Sequence, residues 1–572
     1  MKKIKEYIRL EWIGALILLF YPLRKINMGI DLMDAGYALG NYLYFDGMNE
    51  TWKFATYLSN VIGRFFMYLP FGDTWVGMNF YCGLLVGICA AGVYLFVVHR
   101  FLEKKLLLFI AELVAISLCW SPYTILYHYL GYILMTLVVI LLYIAMEKES
   151  TRLYFISGVI LGLCVLVRMP NVTYMALIIP VWYDVFLRCG KIDSSFWKLL
   201  GRRTGICIGG YIVGLLVPIG YISVRYGIDT YPKMIEGLFG MTDTATDYKP
   251  TSMLTGMIGE YFTQSIWLLL FVVCTIAGVI FFRIKKGRWE ITKKICYVCC
   301  FPVLLRLCYG RGMFDFQYDA YFCFSKWLAV YLLAVLLFCA YILVSSVTQH
   351  NDKLWASFLM VIILVTPLGG NNALYPMINS LFLVAPISVY LVLHVADKWL
   401  QSFPIKSMLL FLGVCITTQS VLFGWHFVFH DTTNGEEKRV EAQIPGAEST
   451  KGLMVTVDKH ENLAELGGYL AESELLDKQV ILYGDIPAIA YMFEMEPAIY
   501  TTWADLASNP YERLMQDLEQ EWQELPVLIL SNTKVYESDD KEYAAIMNFA
   551  LRYKYQCTFE NEAYQVYTQR EN

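Results

Sequence analysis

Two carboxylates, Asp31 and Asp34, stand at the head of Ile30–Phe45, a stretch that reads IDLMDAGYALGNYLYF. They follow the first apolar run directly, and Tyr37, Asn41 and Tyr44 recur behind them at helical spacing. A carboxylate at a membrane surface can serve as a general base and take the proton of a sugar hydroxyl. Asp34 also suits a plainer role, the N-cap whose oxygen satisfies free backbone N–H groups. The two roles are compatible. Sugar transfer needs a second partner, a donor that stabilises a departing phosphate. Arginine fits because its fork binds two oxygens at once. Arg168, Arg311 and Arg225 are the candidates. Each could instead snorkel at the interface or pair with a nearby carboxylate. Tyr37, Asn171, Asn371 and Asn372 are candidates for holding the sugar or its acceptor. Glu112 lies inside an apolar run, which makes it a functional candidate by default, although a hydrogen bond within a bundle explains it equally well.

The elements that must position these groups are membrane spans. Of 572 residues, 57% are hydrophobic and 17% charged, with a mean hydropathy of +0.49. A soluble chain of this length carries more charge and shorter apolar runs. The hydropathy pattern predicts a polytopic α-helical membrane protein of about thirteen spans, in residues 1–430. A basic N-terminus leads into a run that ends in Pro22-Leu23-Arg24-Lys25 with no small-residue cleavage site, so it reads as a retained signal anchor. Proline in Arg168-Met169-Pro170-Asn171 breaks one pair of spans. A loop at residues 28–74 carries the two carboxylates, and a polar loop over Val224–Gln264 reads as mobile. Lysine and arginine concentrate in alternate loops, among them Arg188–Arg203 and Arg283–Lys294. The positive-inside rule makes those loops cytoplasmic. It places the chain in the plasma membrane with a cytoplasmic N-terminus and an extracytoplasmic C-terminus. No basic tract or zinc-finger spacing points to nucleic acid. Cys296, Cys299 and Cys300 form a tight group, but no second ligand pair follows, so no metal site is read there.

Composition changes at Asp431, where charge becomes frequent and long apolar runs stop. Residues 431–572 are expected to form a soluble extracytoplasmic α/β domain. Gly452–Val457, Gln479–Tyr483 and Val527–Leu530 read as buried strands, and Glu461–Leu475, Trp503–Trp522 and Asp540–Leu551 as amphipathic helices. That alternation suggests a mostly parallel sheet. The turn Gly484-Asp485-Ile486-Pro487 follows a strand, where open α/β sheets tend to bind ligands, yet no glycine-rich nucleotide fingerprint accompanies it.

The polar features gather on the outer side, where neither ATP nor a nucleotide sugar is present. A transferable sugar there has to arrive already activated, most simply on a lipid. Asp34-Ala35-Gly36-Tyr37 after a single span resembles the integral-membrane glycosyltransferases of the GT-C fold. The resemblance extends to Tyr57-Leu58-Ser59-Asn60, to Gly72-Asp73, to Gly162–Asn171, to Gly369–Asn372, and to Gly484–Pro487 with Trp503–Leu506. It implies inverting transfer of a sugar from a polyprenyl-phosphate donor to an envelope glycan or lipid acceptor beside the bilayer. It maps the base onto Asp34, with Asp31 as support, because Ala35 stands where many relatives carry a second acid. It implies neither cofactor nor metal, since the acidic motifs of the metal-dependent branch have no counterpart here. Three other readings stay open. They are a glycolipid flippase, a polymerase or ligase of the O-antigen type, and a non-enzymatic envelope assembly protein.

Overall fold

The structure is a computed structural model that describes residues 2–101, 104–121, 123–244, 250–284, 287, 289–318, 324–368, 370, 372–431, 438–506, 509–534 and 540–569. The chain opens with helix α1 (Lys2–Phe20), a short 3-10 turn (Tyr21–Lys25), and helix α2 (Asp34–Leu43). A bundle of long apolar helices follows. Among the described residues, eight helices are long and apolar enough to cross a membrane, where the hydropathy pattern suggested about thirteen spans. Part of the difference is length. The apolar stretches Lys105–Leu118 and His350–Val365 fold as helices of 14 and 16 residues. At 1.5 Å per residue these fall short of the ~30 Å hydrocarbon core.

Two of the expected loops are helical. The basic segment before residue 204 mostly belongs to one helix of 33 residues, Ser194–Tyr226, capped by the Asp193 carboxylate on the Phe196 N–H at 3.0 Å. The polar segment Val224–Gln264 contains the helix Thr230–Thr244 and the first part of the helix Pro250–Arg283. Composition alone hid these helices, because their polar residues lie at one end of long apolar runs. The proline break is where it was expected. The helix Thr151–Val167 stops, Arg168 turns extended at φ −160°, and a 3-10 segment runs from Met169 to Ile178. Small residues let two helices cross closely: a Cβ on Gly158 would come within 2.1 Å of the Cys207 carbonyl, and one on Gly210 within 2.1 Å of the Phe155 carbonyl.

Among the described residues the C-terminal segment holds six strands. A small antiparallel pair, β1 (Arg439–Glu441) and β2 (Met454–Thr456), is followed by a four-stranded sheet. That sheet comprises β3 (Val480–Tyr483), β4 (Val527–Ser531), β5 (Tyr555–Glu560) and β6 (Tyr564–Gln569), in the order β3-β4-β6-β5. Only β3 and β4 are parallel, so the sheet is mixed rather than mostly parallel. The hairpin β5–β6 escaped the pattern because its strands are half exposed, and their alternating polar residues carry no continuous apolar signal. β3 and β4 are fully buried and read plainly.

The sheet segment and the helical bundle share a continuous apolar core. Trp75 meets Tyr491 edge to face at 5.8 Å, and the Tyr491 hydroxyl donates to the Asp73 carbonyl at 2.8 Å. Gly29 and Met454 exchange backbone bonds with the first loop: Gly29 N–H reaches Met454 O at 2.8 Å, and Met454 N–H reaches Asn27 O at 2.7 Å. Along α2, Gly36 and Gly40 sit one turn apart and face this segment. A Cβ on Gly36 would come within 2.3 Å of Ala488 Cβ, and one on Gly40 within 3.4 Å of Thr502 Oγ1.

Candidate active site

Asp31 is fully buried. Its Oδ1 accepts the Met33 N–H at 3.0 Å and its Oδ2 the Ala35 N–H at 2.7 Å. Asp31, not Asp34, is therefore the carboxylate that satisfies the free amides at the start of α2. Asp34 is the first residue of that helix and makes no capping bond. The sequence reading put the cap on Asp34; the turn after Gly29 (φ 78°) moves it to Asp31 by folding that residue back over the helix start. Hydrogen bonds from N–H groups to a charged acceptor contribute about 1.5–3 kcal/mol each. Asp31 is thus committed to structure, and Asp34, with about a third of its side chain exposed, is left open.

His430 joins the two acids. Its Nδ1 lies 3.1 Å from Asp31 Oδ1 and 3.9 Å from Asp34 Oδ2. The ring stacks on Phe429 at 3.9 Å, and its backbone is left-handed at φ 51°, a strained conformation for histidine. The carbonyl of His430 accepts from Lys459 Nζ at 3.1 Å, and the same ammonium donates to Ile30 O at 2.7 Å. Lys459 also pairs with Asp431, which is held from its other side by Arg439. This seam fastens the residues after the last bundle helix to the residues before α2.

The electrostatics follow from that geometry. Burial, the Asp31 charge and the more distant Asp485 all raise the Asp34 carboxyl, and His430 only partly opposes them, leaving it at about 6. Burial works against the His430 imidazolium. The hydrogen bond to Asp31 and the charges of both acids outweigh it, so His430 lies above its ordinary value. A carboxyl near 6 is mostly ionised at neutral pH yet basic enough to accept a proton usefully, which suits a general base.

The remaining candidates separate by position. Arg168 is half buried at the proline break, with its guanidinium 6.0 Å from the Tyr127 ring centre. Aromatic contacts lead from there to the acids. His128 lies against Trp120 at 5.4 Å, Trp120 stacks on Phe429 at 5.2 Å, and Phe429 stacks on His430. Tyr37 is buried edge-on against Trp503 at 5.6 Å, and burial pushes its phenol up to about 12. Asn171 is buried and donates to the Cys164 carbonyl at 3.0 Å, so it braces the proline break. Asn372 is half buried and its carbonyl accepts from Tyr375 N–H at 2.9 Å. Asn371 lies outside the described residues. Arg225 stands at the end of the helix Ser194–Tyr226, 5.6 Å from the Tyr226 ring. Arg311 is exposed after the helix Glu290–Gly310. Among the described residues, no ion pair or hydrogen bond brings Arg225 or Arg311 to the two acids.

Sequence reasoning missed His430 and Lys459. His430 is a lone residue about 400 positions from Asp31, and Lys459 reaches the Ile30 carbonyl from as far away; nothing local marks either. The only signal was the abrupt change of composition at Asp431.

Asp31, Asp34 and His430 each offer one ligand atom, all within 4.8 Å of one another. Two carboxylates and an imidazole would suit a divalent cation. Here, however, Asp31 already accepts two amides and faces His430, so only Asp34 retains unengaged oxygens. This donor set could hold a cation if His430 turned away from Asp31.

Comparison with family models and with curated proteins finds no match. Among solved structures, the crystal structure of ArnT from Cupriavidus metallidurans bound to undecaprenyl phosphate superposes with a TM-score of 0.40 at 12% identity, covering 98% of each chain. A likeness at that level carries no inference about activity.

Proposed function

We propose that this chain is a membrane glycosyltransferase. It moves a sugar from a polyprenyl-phosphate donor to an envelope glycan or lipid acceptor on the outer face of the plasma membrane, with Asp34 as general base. The observation that carries the reading is the pairing of a committed acid with an open one. Asp31 is spent on capping α2, and Asp34 is held beside it at a raised pKa of about 6. The resemblance of the motifs around Asp34 to the GT-C glycosyltransferases supports the same reading.

In the proposed step, the acceptor hydroxyl gives its proton to Asp34 while its oxygen attacks the anomeric carbon from the face opposite the phosphate. The bond from the anomeric carbon to the phosphate oxygen breaks, and the polyprenyl phosphate leaves with the electron pair. The product has inverted configuration, and the proton on Asp34 passes to water. Arg168 is the arginine best placed to meet the phosphate, because a run of aromatic contacts, Tyr127 to His128 to Trp120 to Phe429, links it to His430. Arg225 and Arg311 would meet the donor further out. Residues 431–572 form the extracytoplasmic part in this reading, and the N-terminus is cytoplasmic.

The test is sugar transfer by purified protein from a panel of radiolabelled polyprenyl-phosphate sugars to a crude envelope fraction, wild type beside Asp34→Asn. Transfer that the variant loses is the expected result. No transfer from any donor by folded wild-type protein would overturn the proposal and favour a flippase.

A further inference from the structure

β3 and β4 run parallel, so their carboxyl ends lie on the same edge of the sheet. Asp485 follows β3 and Lys534 follows β4. This is the edge at which open α/β sheets place their ligands. Lys534 Nζ bonds Asp505 Oδ2 at 2.6 Å and lies 3.2 Å from Asp485 Oδ2. The Trp503 indole N–H donates to Asp485 Oδ1 at 2.9 Å. Asp485 itself is left-handed at φ 61°.

The edge is fastened to α2. The Ala488 N–H donates to Leu32 O at 3.0 Å, Gly36 packs on Ala488, and Tyr37 meets Trp503. The cluster therefore stands beside the helix that begins with Asp34.

One further observation points to a ligand. Asp505 Oδ2 accepts three donors, the Gly484 and Asp485 N–H groups at 3.1 Å each and Lys534. Asp505 Oδ1 is buried with no hydrogen-bond partner among the described residues, in a side chain only 4% exposed. A carboxylate oxygen withdrawn from water normally finds a donor. Lys534 has three N–H groups and gives two to the acids. Among the described residues the cluster thus offers an unused acceptor and an unused donor on one bonded acid–ammonium pair, the pattern that neighbouring hydroxyls on a sugar ring satisfy. Its charge excludes an anion: two carboxylates surround one ammonium, and Asp31 and Asp34 lie close by with one imidazole.

We infer that Asp505, Lys534, Asp485 and Trp503 form a subsite for the hydroxyl groups of a neutral glycan, at the carboxyl edge of the sheet beside α2. Assigning that glycan as the acceptor rests on the proposed transfer reaction. The hydroxyl-binding chemistry of the site does not.

The test is binding of maltose, cellobiose, mannobiose and chitobiose to the full chain in nanodiscs, by saturation-transfer NMR, with inorganic phosphate as the anionic arm. At least one disaccharide should bind. Asp505→Asn and Lys534→Met should each weaken it roughly tenfold or more, and Lys534→Arg should recover most of the loss. Asp34→Asn should abolish transfer yet keep this binding, which separates failure of the subsite from failure of the proposed reaction. Acetylation of Lys534 in the wild type, mapped by mass spectrometry, should slow when the disaccharide is present, a readout independent of how the variants fold. Absence of binding by every disaccharide, binding unchanged in both variants, or phosphate competing for Lys534 would overturn the inference.

Discussion

Asp184 sits toward the end of the helix Ile179–Cys189 and the pair Asp31–Asp34 at the start of α2, and the two sites treat their acids differently. At the basic end, Asp184 is completely enclosed and holds Arg203 Nη1 at 2.6 Å, His350 Nε2 at 2.7 Å and Arg188 Nε at 2.8 Å. It ties three segments together, and no part of it is open to a ligand. At the other end, Asp31 and Asp34 share a single imidazole. At the first end two arginines and His350 face two acids, Asp184 and Glu149, so each carboxylate has a cation of its own. At the second, one imidazole serves two carboxylates. Full pairing produces a clamp, whereas burial and the neighbouring Asp31 charge leave Asp34 a carboxyl that holds a proton more readily than it would in water. The same residue type is therefore structural at one pole of the molecule and available for chemistry at the other.

That contrast can be broken or sharpened by experiment. The largest effect expected is the loss of transfer in Asp34→Asn, by about 10²–10⁴-fold, with the purified variant melting no lower than the wild type. Asp184→Ala should do the reverse. It leaves Arg203 buried without its partner and costs about 3–5 kcal/mol of stability, read as a lower melting temperature, while turnover per folded molecule is retained. If Asp184→Ala impaired turnover as severely as Asp34→Asn, the two ends would not differ in kind. Gly36→Ala should cost about 1–3 kcal/mol, because its new methyl meets Ala488 and must push α2 from the sheet.

The pH dependence should run in opposite directions for activity and stability. The base must be ionised, so turnover should fall as pH drops through about 6. Asp34 is raised in the folded state, so folding is favoured when it is protonated, and stability should rise as pH falls through that value. His430 is also raised, so its contribution is fully present below its ordinary 6.5 and is lost as pH climbs through its folded value. Melting temperature should therefore be higher near pH 5.5 than near pH 8, and a double variant Asp34→Asn, His430→Gln should flatten that difference. The smallest effect expected is that of EDTA, which should leave turnover unchanged. EDTA-sensitive turnover would mean that Asp31, Asp34 and His430 act as ligands and would recast the open acid as a metal-binding one.

Much of the helical framework was legible because long apolar runs and a proline break are local properties. The break at Arg168–Asn171 fell where the sequence put it, and β3 and β4 announced themselves as short, wholly apolar strands. The count of spans was less legible. Hydropathy registers apolarity, whereas crossing a bilayer also needs length, and helices such as Lys105–Leu118 have the first without the second. Asp31 and Asp34 were visible as a pair, but the cap expected of Asp34 falls to Asp31, because it depends on the fold of Gly29–Met33. His430 and Lys459 were not visible at all, and Asp485 was visible only as part of a strand-ending turn. All three come from distant parts of the chain, and only packing brings them to α2.

The seam between α2 and the end of the chain also orders events during synthesis. Asp31 is made early, but His430 and Lys459, which complete its surroundings, leave the ribosome about 400 residues later. At about 5–20 residues per second that is a wait of roughly 20–80 s. Until then the first loop has neither its cation nor the strand that Met454 contributes. A nascent or prematurely terminated chain can occupy the membrane, yet it holds no finished centre. On the proposed function, competence is conferred only by the last quarter of the polypeptide, so a stalled ribosome would yield an inert protein rather than an unregulated one.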